Sequence, residues 1–162
     1  MALTKLNNQS LSAVTSAGLP IKAGSIIQVK HTSPTAQTNS FTASTWTDAT
    51  GFSIDITPSS ASSKFLILAS AGTLHNNNQY IGYRIYRDDS AIVQLNWSYN
   101  NVNNAWSDSS QCALSAVDEP STTSQVNYKV QVYALANSSQ FYFNYGGNGS
   151  TAGGFTVMEI AG

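Results

Sequence analysis

From residue 24 onward, apolar and polar side chains change places at almost every step, in short runs closed by turn-forming residues. Phe52, Ile54 and Ile56 alternate with Ser53, Asp55 and Thr57. Val126, Tyr128, Val130, Val132 and Ala134 carry the same period over what reads as the longest strand. A period of two gives a pleated strand one apolar face and cannot line one side of a helix. Comparable runs occupy 27–31, 42–47, 81–86, 91–97, 112–117, 141–145 and 155–161, while 64–70 (KFLILAS) is apolar on both faces, as in a strand inside a sheet. Pro58-Ser59-Ser60, Arg87-Asp88-Asp89-Ser90, Asp118-Glu119-Pro120 and Asn137-Ser138-Ser139 separate them as turns. The expectation is an all-β fold, an antiparallel jelly-roll sandwich of about ten strands; an immunoglobulin sandwich would need only about seven.

Composition narrows the work such a fold could do. Charged residues are 9% of the 162, against a usual share of about a quarter. Polarity comes instead from 24 Ser, 15 Thr, 15 Asn and 9 Gln. A formal net charge of −1 leaves no basic stripe for phosphates, so no nucleic-acid partner is expected. No apolar run approaches the roughly 18 residues of a membrane span. The first twelve residues lack a charged stretch followed by an apolar one, so no secretory signal is expected, and Asn-x-Ser triplets at Asn8, Asn96, Asn137 and Asn148 read as chance in an Asn- and Ser-rich chain. A single cysteine, Cys112, cannot form an intrachain disulfide and reads as a small core residue.

Residues 1–23 read differently from 24–162. Leu3, Leu6, Leu11, Val14 and Leu19 are too irregularly spaced for a helix, and Gly18 and Pro20 would end one. With too little apolar surface to fold alone, 1–23 is expected to be an arm that docks on another surface, ahead of one sandwich domain over 24–162.

Catalysis finds little support. His31 and His75 sit in no nucleophile elbow, and Gly-x-Ser-x-Gly is absent. Asp88-Asp89 and Asp118-Glu119 read as turn chemistry rather than a pair of glycosidase carboxylates. Cys-x-x-Cys, paired histidines at ligand spacing and a calcium-loop pattern are all missing, so no metal and no cofactor are expected. Glu159, inside the apolar closing strand, needs a partner, which Arg84 or Lys129 could supply as a structural ion pair.

Two surfaces stand out. In 96–110 (NWSYNNVNNAWSDSS), Trp97, Tyr99 and Trp106 interleave with Asn101, Asn103, Asn104 and Asp108. Aromatic faces for sugar rings beside amides and a carboxylate for hydroxyls would suit a glycan; packing beneath the loop or against a neighbouring subunit is the other reading. The second surface is aromatic: Tyr80, Tyr86, Tyr133, Phe141, Tyr142, Phe143 and Tyr145 supply more apolar face than one interior can use. Such excess marks interfaces, and a jelly roll burying one flank around a threefold axis predicts a homotrimer.

The stretch Asp48-Ala49-Thr50-Gly51-Phe52-Ser53-Ile54-Asp55-Ile56-Thr57-Pro58-Ser59-Ser60, with Ser63-Lys64-Phe65-Leu66-Ile67-Leu68 after it, resembles β-rich modules of tail fibres and related virion proteins of marine and cyanobacterial phages. Gly82-Tyr83-Arg84-Ile85-Tyr86-Arg87-Asp88, the ending Thr156-Val157-Met158-Glu159-Ile160 and the opening Ala2-Leu3-Thr4-Lys5-Leu6 are similar to the same family. The resemblance implies a trimeric jelly roll, similar in plan to tumour-necrosis-factor-like domains, carried on a virion assembled in the host cytoplasm. It implies partners among other phage structural proteins, met through the arm, and a non-enzymatic role in host attachment that could include a surface glycan. An arm of only about 23 residues departs from a full fibre, whose shaft needs far more chain, and brings in a compact appendage tip or a capsid decoration protein. A free lectin is the alternative from another class.

Overall fold

The computed structural model describes residues 21–38, 42, 44–75, 80–99, 108–134, 141–147, 151 and 153–162; the side chains of 75, 80, 95–99 and 108–110 lie outside that description. The arm residues Leu3, Leu6, Leu11, Val14 and Leu19 and the loop residues Asn101, Asn103, Asn104 and Trp106 also fall outside it.

The described residues form strands and no helix: β1 (Ile26–Thr32), β2 (Thr45–Ile56), β3 (Lys64–His75), β4 (Tyr80–Arg87), β5 (Ser90–Tyr99), β6 (Asp108–Asp118), β7 (Val126–Ala134), β8 (Phe141–Phe143) and β9 (Gly154–Ile160). One sheet runs β1-β9-β3-β6, with the short β8 beside β3 where β9 leaves off, and the other runs β2-β7-β4-β5. Every pairing is antiparallel. The chain crosses from sheet to sheet after β1, β2, β3, β5, β6 and β7, the winding of a jelly roll. The expected sandwich is the observed one.

Three boundaries differ from the alternation pattern. Residues 45–47 and 52–56 of two separate runs belong to one twelve-residue strand, β2, whose register with β7 shifts between Asp48 and Ser53. Gly51 sits in that irregularity at φ 80°, and a Cβ there would lie 2.9 Å from Pro34 Cβ, so a turning backbone and a close neighbour both call for glycine. β6 begins at Asp108, because β3 pairs with it without interruption from Phe65↔Asp118 to His75↔Asp108. At twelve residues each, β2 and β3 exceed the nine of β7, the strand expected to be longest.

The inward residues meet between the sheets. Phe52, Ile54 and Ile56 of β2 face Phe65, Ile67, Phe155 and Val157 of the other sheet, with Ile81, Ile85, Tyr128, Val130 and Val132 beside them, all buried. Rings lock the layers: Phe52 and Phe143 meet edge to face at 5.1 Å, and Phe65 and Tyr128 at 5.7 Å. Phe141 and Phe143 are 0% and 1% exposed, so their side chains belong to this core and not to a subunit interface. Cys112 is a buried core thiol, and burial pushes its pKa up to about 12.

One end of the core is polar. Glu159 is fully buried on the inward face of β9. Its partners are not Arg84 or Lys129, which lie on the outside of the other sheet. Its carboxylate accepts from Ser59 N at 2.7 Å, Ser59 Oγ at 2.6 Å, Ser63 Oγ at 2.6 Å and Gln28 Nε2 at 2.5 Å. Desolvation pushes its pKa up, but the Ser59, Ser63 and Gln28 hydrogen bonds together outweigh it and hold the group below the ordinary carboxylate range. Nearby, Asp118 of β6 accepts from Tyr128 Oη at 2.6 Å and pairs with Arg87, tying one sheet to the other.

Candidate functional site

The two sheets present contrasting outer faces. On the β1-β9-β3-β6 sheet, register aligns Val29, Met158, Leu66 and Val117 in one row, with His31, Thr156, Leu68 and Ser115 in the next. Val29 is 54% exposed and Val117 61%, and Ile26, Leu68 and Ile21 are also exposed. The face continues towards its far end through Leu74 and Tyr142, and Tyr142 and Tyr145 meet at 5.9 Å. Small residues at Ser70, Ala113 and Gly154 floor a hollow of about 430 Å³, rimmed by His31, Leu68 and Thr156. Its one described ion pair, Lys64–Glu119 at 2.7 Å, sits at the rim. The face thus combines one aliphatic row with a hydroxyl- and imidazole-bearing one, and exposed aliphatic rows of this kind are enriched at interfaces.

The outer face of the β2-β7-β4-β5 sheet is charged, amide-rich and aromatic. Register places Trp46, Tyr133 and Gly82 in one row, Asp48, Gln131, Arg84 and Gln94 in the next, then Ser53, Lys129 and Tyr86, then Asp55 and Asn127. Arg84 lies between two rings, its Cζ 4.2 Å from the Trp46 centroid and 4.4 Å from that of Tyr86. Trp46 can reach across because Gly82 has no side chain: a Cβ there would stand 3.0 Å from the indole edge. Tyr133 packs on Trp46 at 5.4 Å. Arg84 Nε donates to Gln131 Oε1 at 2.7 Å, Gln131 Nε2 to Asp48 Oδ1 at 2.5 Å, and Lys129 Nζ to Asp48 Oδ2 at 2.8 Å. Burial pushes the Asp48 pKa up, but hydrogen bonds from Lys129 and Gln131, with the Lys129 charge, bring it below its ordinary value.

The aromatic residues expected at one interface are therefore divided. Tyr142 and Tyr145 lie on the apolar face, and Tyr86 and Tyr133 on the opposite one. The two pairs therefore do not share one outer face. Tyr80 lies at the start of β4, paired with Tyr99, and Trp97 and Tyr99 at the end of β5. Asp108 opens β6. These four have described backbone only. Sequence reasoning missed Trp46, Arg84, Lys129 and Gln131 as one surface, although Arg84–Tyr86 and Lys129–Gln131–Tyr133 already share the outward parity of their strands.

No catalytic constellation accompanies either face among the described residues. His31 Nδ1 lies 2.8 Å from Thr156 Oγ1 and Nε2 2.9 Å from Ser33 Oγ. Both neighbours are hydroxyls, and no described carboxylate orients the ring. Among the described residues no group of three or more His, Cys, Asp and Glu could hold a metal, and no helix is long and apolar enough to cross a membrane.

No family model matches the chain, and no curated protein matches it. Solved structures to which it is similar include that of infectious bursal disease virus, Gx strain, at 13% identity and a TM-score of 0.43 over 82% of this chain and 36% of that one. Another is the infectious bursal disease virus VP2 subviral particle, at 13% identity and a TM-score of 0.43 over 82% of this chain and 37% of that one. The chain thus spans little more than a third of the chains it matches. Its assignment as a jelly roll rests on strand order.

Proposed function

We propose that this chain is a non-enzymatic structural protein of a bacteriophage particle: a homotrimeric surface appendage of tail-fibre or fibre-tip type, anchored through residues 1–23. The sequence resemblance to phage fibre modules supports the particle and the appendage. The observation that carries assembly is the apolar outer face of β1-β9-β3-β6. Val29, Leu68 and Val117, with Leu66 and Met158 between them, form a surface that water solvates poorly, and identical copies would cover it. Burying each of these side chains would contribute about 1.5–3 kcal/mol per subunit. With that face meeting an edge of the neighbouring copy, the Trp46–Arg84–Tyr86 face is turned outward, where a host surface glycan could be met. The leucine-bearing arm, with Lys5 its only charged residue up to residue 20, suits an apolar seat on another phage protein.

Immunogold labelling of virions produced from the genome that encodes the chain tests the placement. Label at the tail or its fibres is the expected result. Label over the head would transfer the chain to capsid decoration, and particles without label would overturn a virion role.

A further inference from the structure

We propose that the outer face of the β2-β7-β4-β5 sheet is a binding stripe for an acidic saccharide, one whose sugar rings carry carboxylates. The inference rests on the reading above in one respect: this face must point away from the trimer contact.

The chemistry follows from Arg84. Both faces of its guanidinium are taken, one by Trp46 and the other by Tyr86, so the group is held flat and cannot swing. Nε is committed to Gln131, and no described residue accepts from Nη1 or Nη2. A guanidinium fixed by rings, with its terminal donors unclaimed, is preorganised for a two-pronged bond to a carboxylate. Lys129 stands in the next row, 5.7 Å from the Tyr86 ring, with its charge paired to Asp48 at 2.8 Å, so it supports the Arg84 clamp as a secondary cation. Around this anion clamp the stripe is built for hydroxyls. The exposed Asp48 carboxylate offers acceptors on one side, backed by the buried Gln131, and the side-chain carbonyl of Asn127, whose amide donates to Ser53 Oγ at 2.8 Å and Asp55 Oδ1 at 2.7 Å, does so on the other. Tyr86 and Tyr133 are partly exposed and supply rings against which sugar C–H faces can lie.

Length and position favour a glycan over a peptide. From Tyr133 to Asn127 the stripe spans seven residues of β7, six steps or about 20 Å of extended strand, long enough for several sugar units in a row. It crosses the middle of the sheet, where the β7 and β4 backbones are paired on both sides. No open strand edge is available there for a peptide to extend, and no apolar socket interrupts the row.

Calorimetric titration of the full chain with an oligogalacturonide, with the same oligosaccharide after its carboxylates are reduced to alcohols, and with polyglutamate separates the possibilities. The uronate should bind, and the reduced sugar and polyglutamate should bind at least about tenfold more weakly, the loss of one charge-assisted forked bond. Arg84→Gln should cost the uronate a similar factor, Arg84→Lys should restore little of it, and Lys129→Gln should weaken binding less. Equal binding of the reduced sugar, tighter binding of polyglutamate, indifference to both the Arg84→Gln and Lys129→Gln changes, or no uronate binding would each overturn the proposal. Sedimentation of the same samples keeps the two readings apart. A trimer that ignores uronate refutes the stripe alone, whereas a trimer that dissociates on Arg84→Gln refutes the outward placement of this face.

Discussion

The two outer faces of this sandwich differ as sharply as a protein interior differs from its surface, although both belong to sheets of similar size around one core. On β1-β9-β3-β6 the outward positions include Val29, Leu66, Leu68, Val117 and Met158, with His31, Thr156 and Ser115 in the next row. On β2-β7-β4-β5 they hold Asp48, Arg84, Tyr86, Lys129 and Gln131, tied together by hydrogen bonds and ring contacts. Both inner faces are apolar, as any sandwich requires. The contrast teaches that core formation does not account for the whole apolar pattern. The rest is a surface that folding leaves uncovered and association would hide.

The comparison can be broken most directly on the apolar face. Placing an aspartate at both Val29 and Val117 puts two charges where no described partner stands, and should convert the assembly to a folded monomer; sedimentation velocity reads the loss, and circular dichroism checks that the strands remain. The next largest effect is expected inside the sandwich. Glu159→Ala leaves the Ser59, Ser63 and Gln28 donors without their acceptor, and should lower stability by about 3 kcal/mol in urea unfolding, since each charge-assisted bond contributes about 1.5–3 kcal/mol and the losses are not additive.

Acid titration sharpens the same point. The folded-state pKa of Glu159 is held below its unfolded value. Its contribution is therefore complete above the unfolded pKa of about 4.3 and is lost as pH falls through that value towards the lower folded one. Wild-type stability should decline through that window, and Glu159→Gln should flatten part of the decline. If the variant and the wild type follow parallel curves, the hydrogen bonds do not depress the carboxylate.

Smaller effects belong to the polar face. Gly82→Ala brings a methyl against the Trp46 edge at 3.0 Å and should shift the indole, seen as altered tryptophan fluorescence, at a stability cost of about 1 kcal/mol. Lys129→Ala breaks a 2.8 Å pair with an exposed Asp48 and should change unfolding free energy by less than about 1 kcal/mol. A large loss from Lys129→Ala would mean that this network supports the fold rather than presenting a surface.

The strands were legible because a period of two leaves little freedom: β4, β7 and β9 carry their buried residues where the alternation predicts. Residues 64–70 read correctly as interior to a sheet because β3 has neighbours on both sides, although the strand runs on to His75. The extensions of β3 and β6 were harder to see, since Gly72, Thr73, Ser109 and Ser110 give no apolar signal and their pairing is visible only across strands. Glu159 was recognised as needing partners, but its donors lie about 100 positions away in sequence at Ser59 and Ser63, and no local pattern announces hydroxyls as substitutes for a cation. The aromatic residues were recognised, but their division between two faces was not legible, for a related reason. Parity tells which side of its own strand a side chain takes, whereas the sheet to which that strand belongs decides which surface it joins. Thus Tyr86 and Tyr133 fell with Trp46 and Arg84, and Tyr142 and Tyr145 with Leu74.

The most direct test is the solution mass of the purified chain by sedimentation equilibrium, with and without aspartates at Val29 and Val117. The account predicts three times 17.2 kDa for the wild type and a single folded subunit for the variant. A wild type that stays monomeric at high concentration, or a trimer that the two aspartates leave intact, would contradict it.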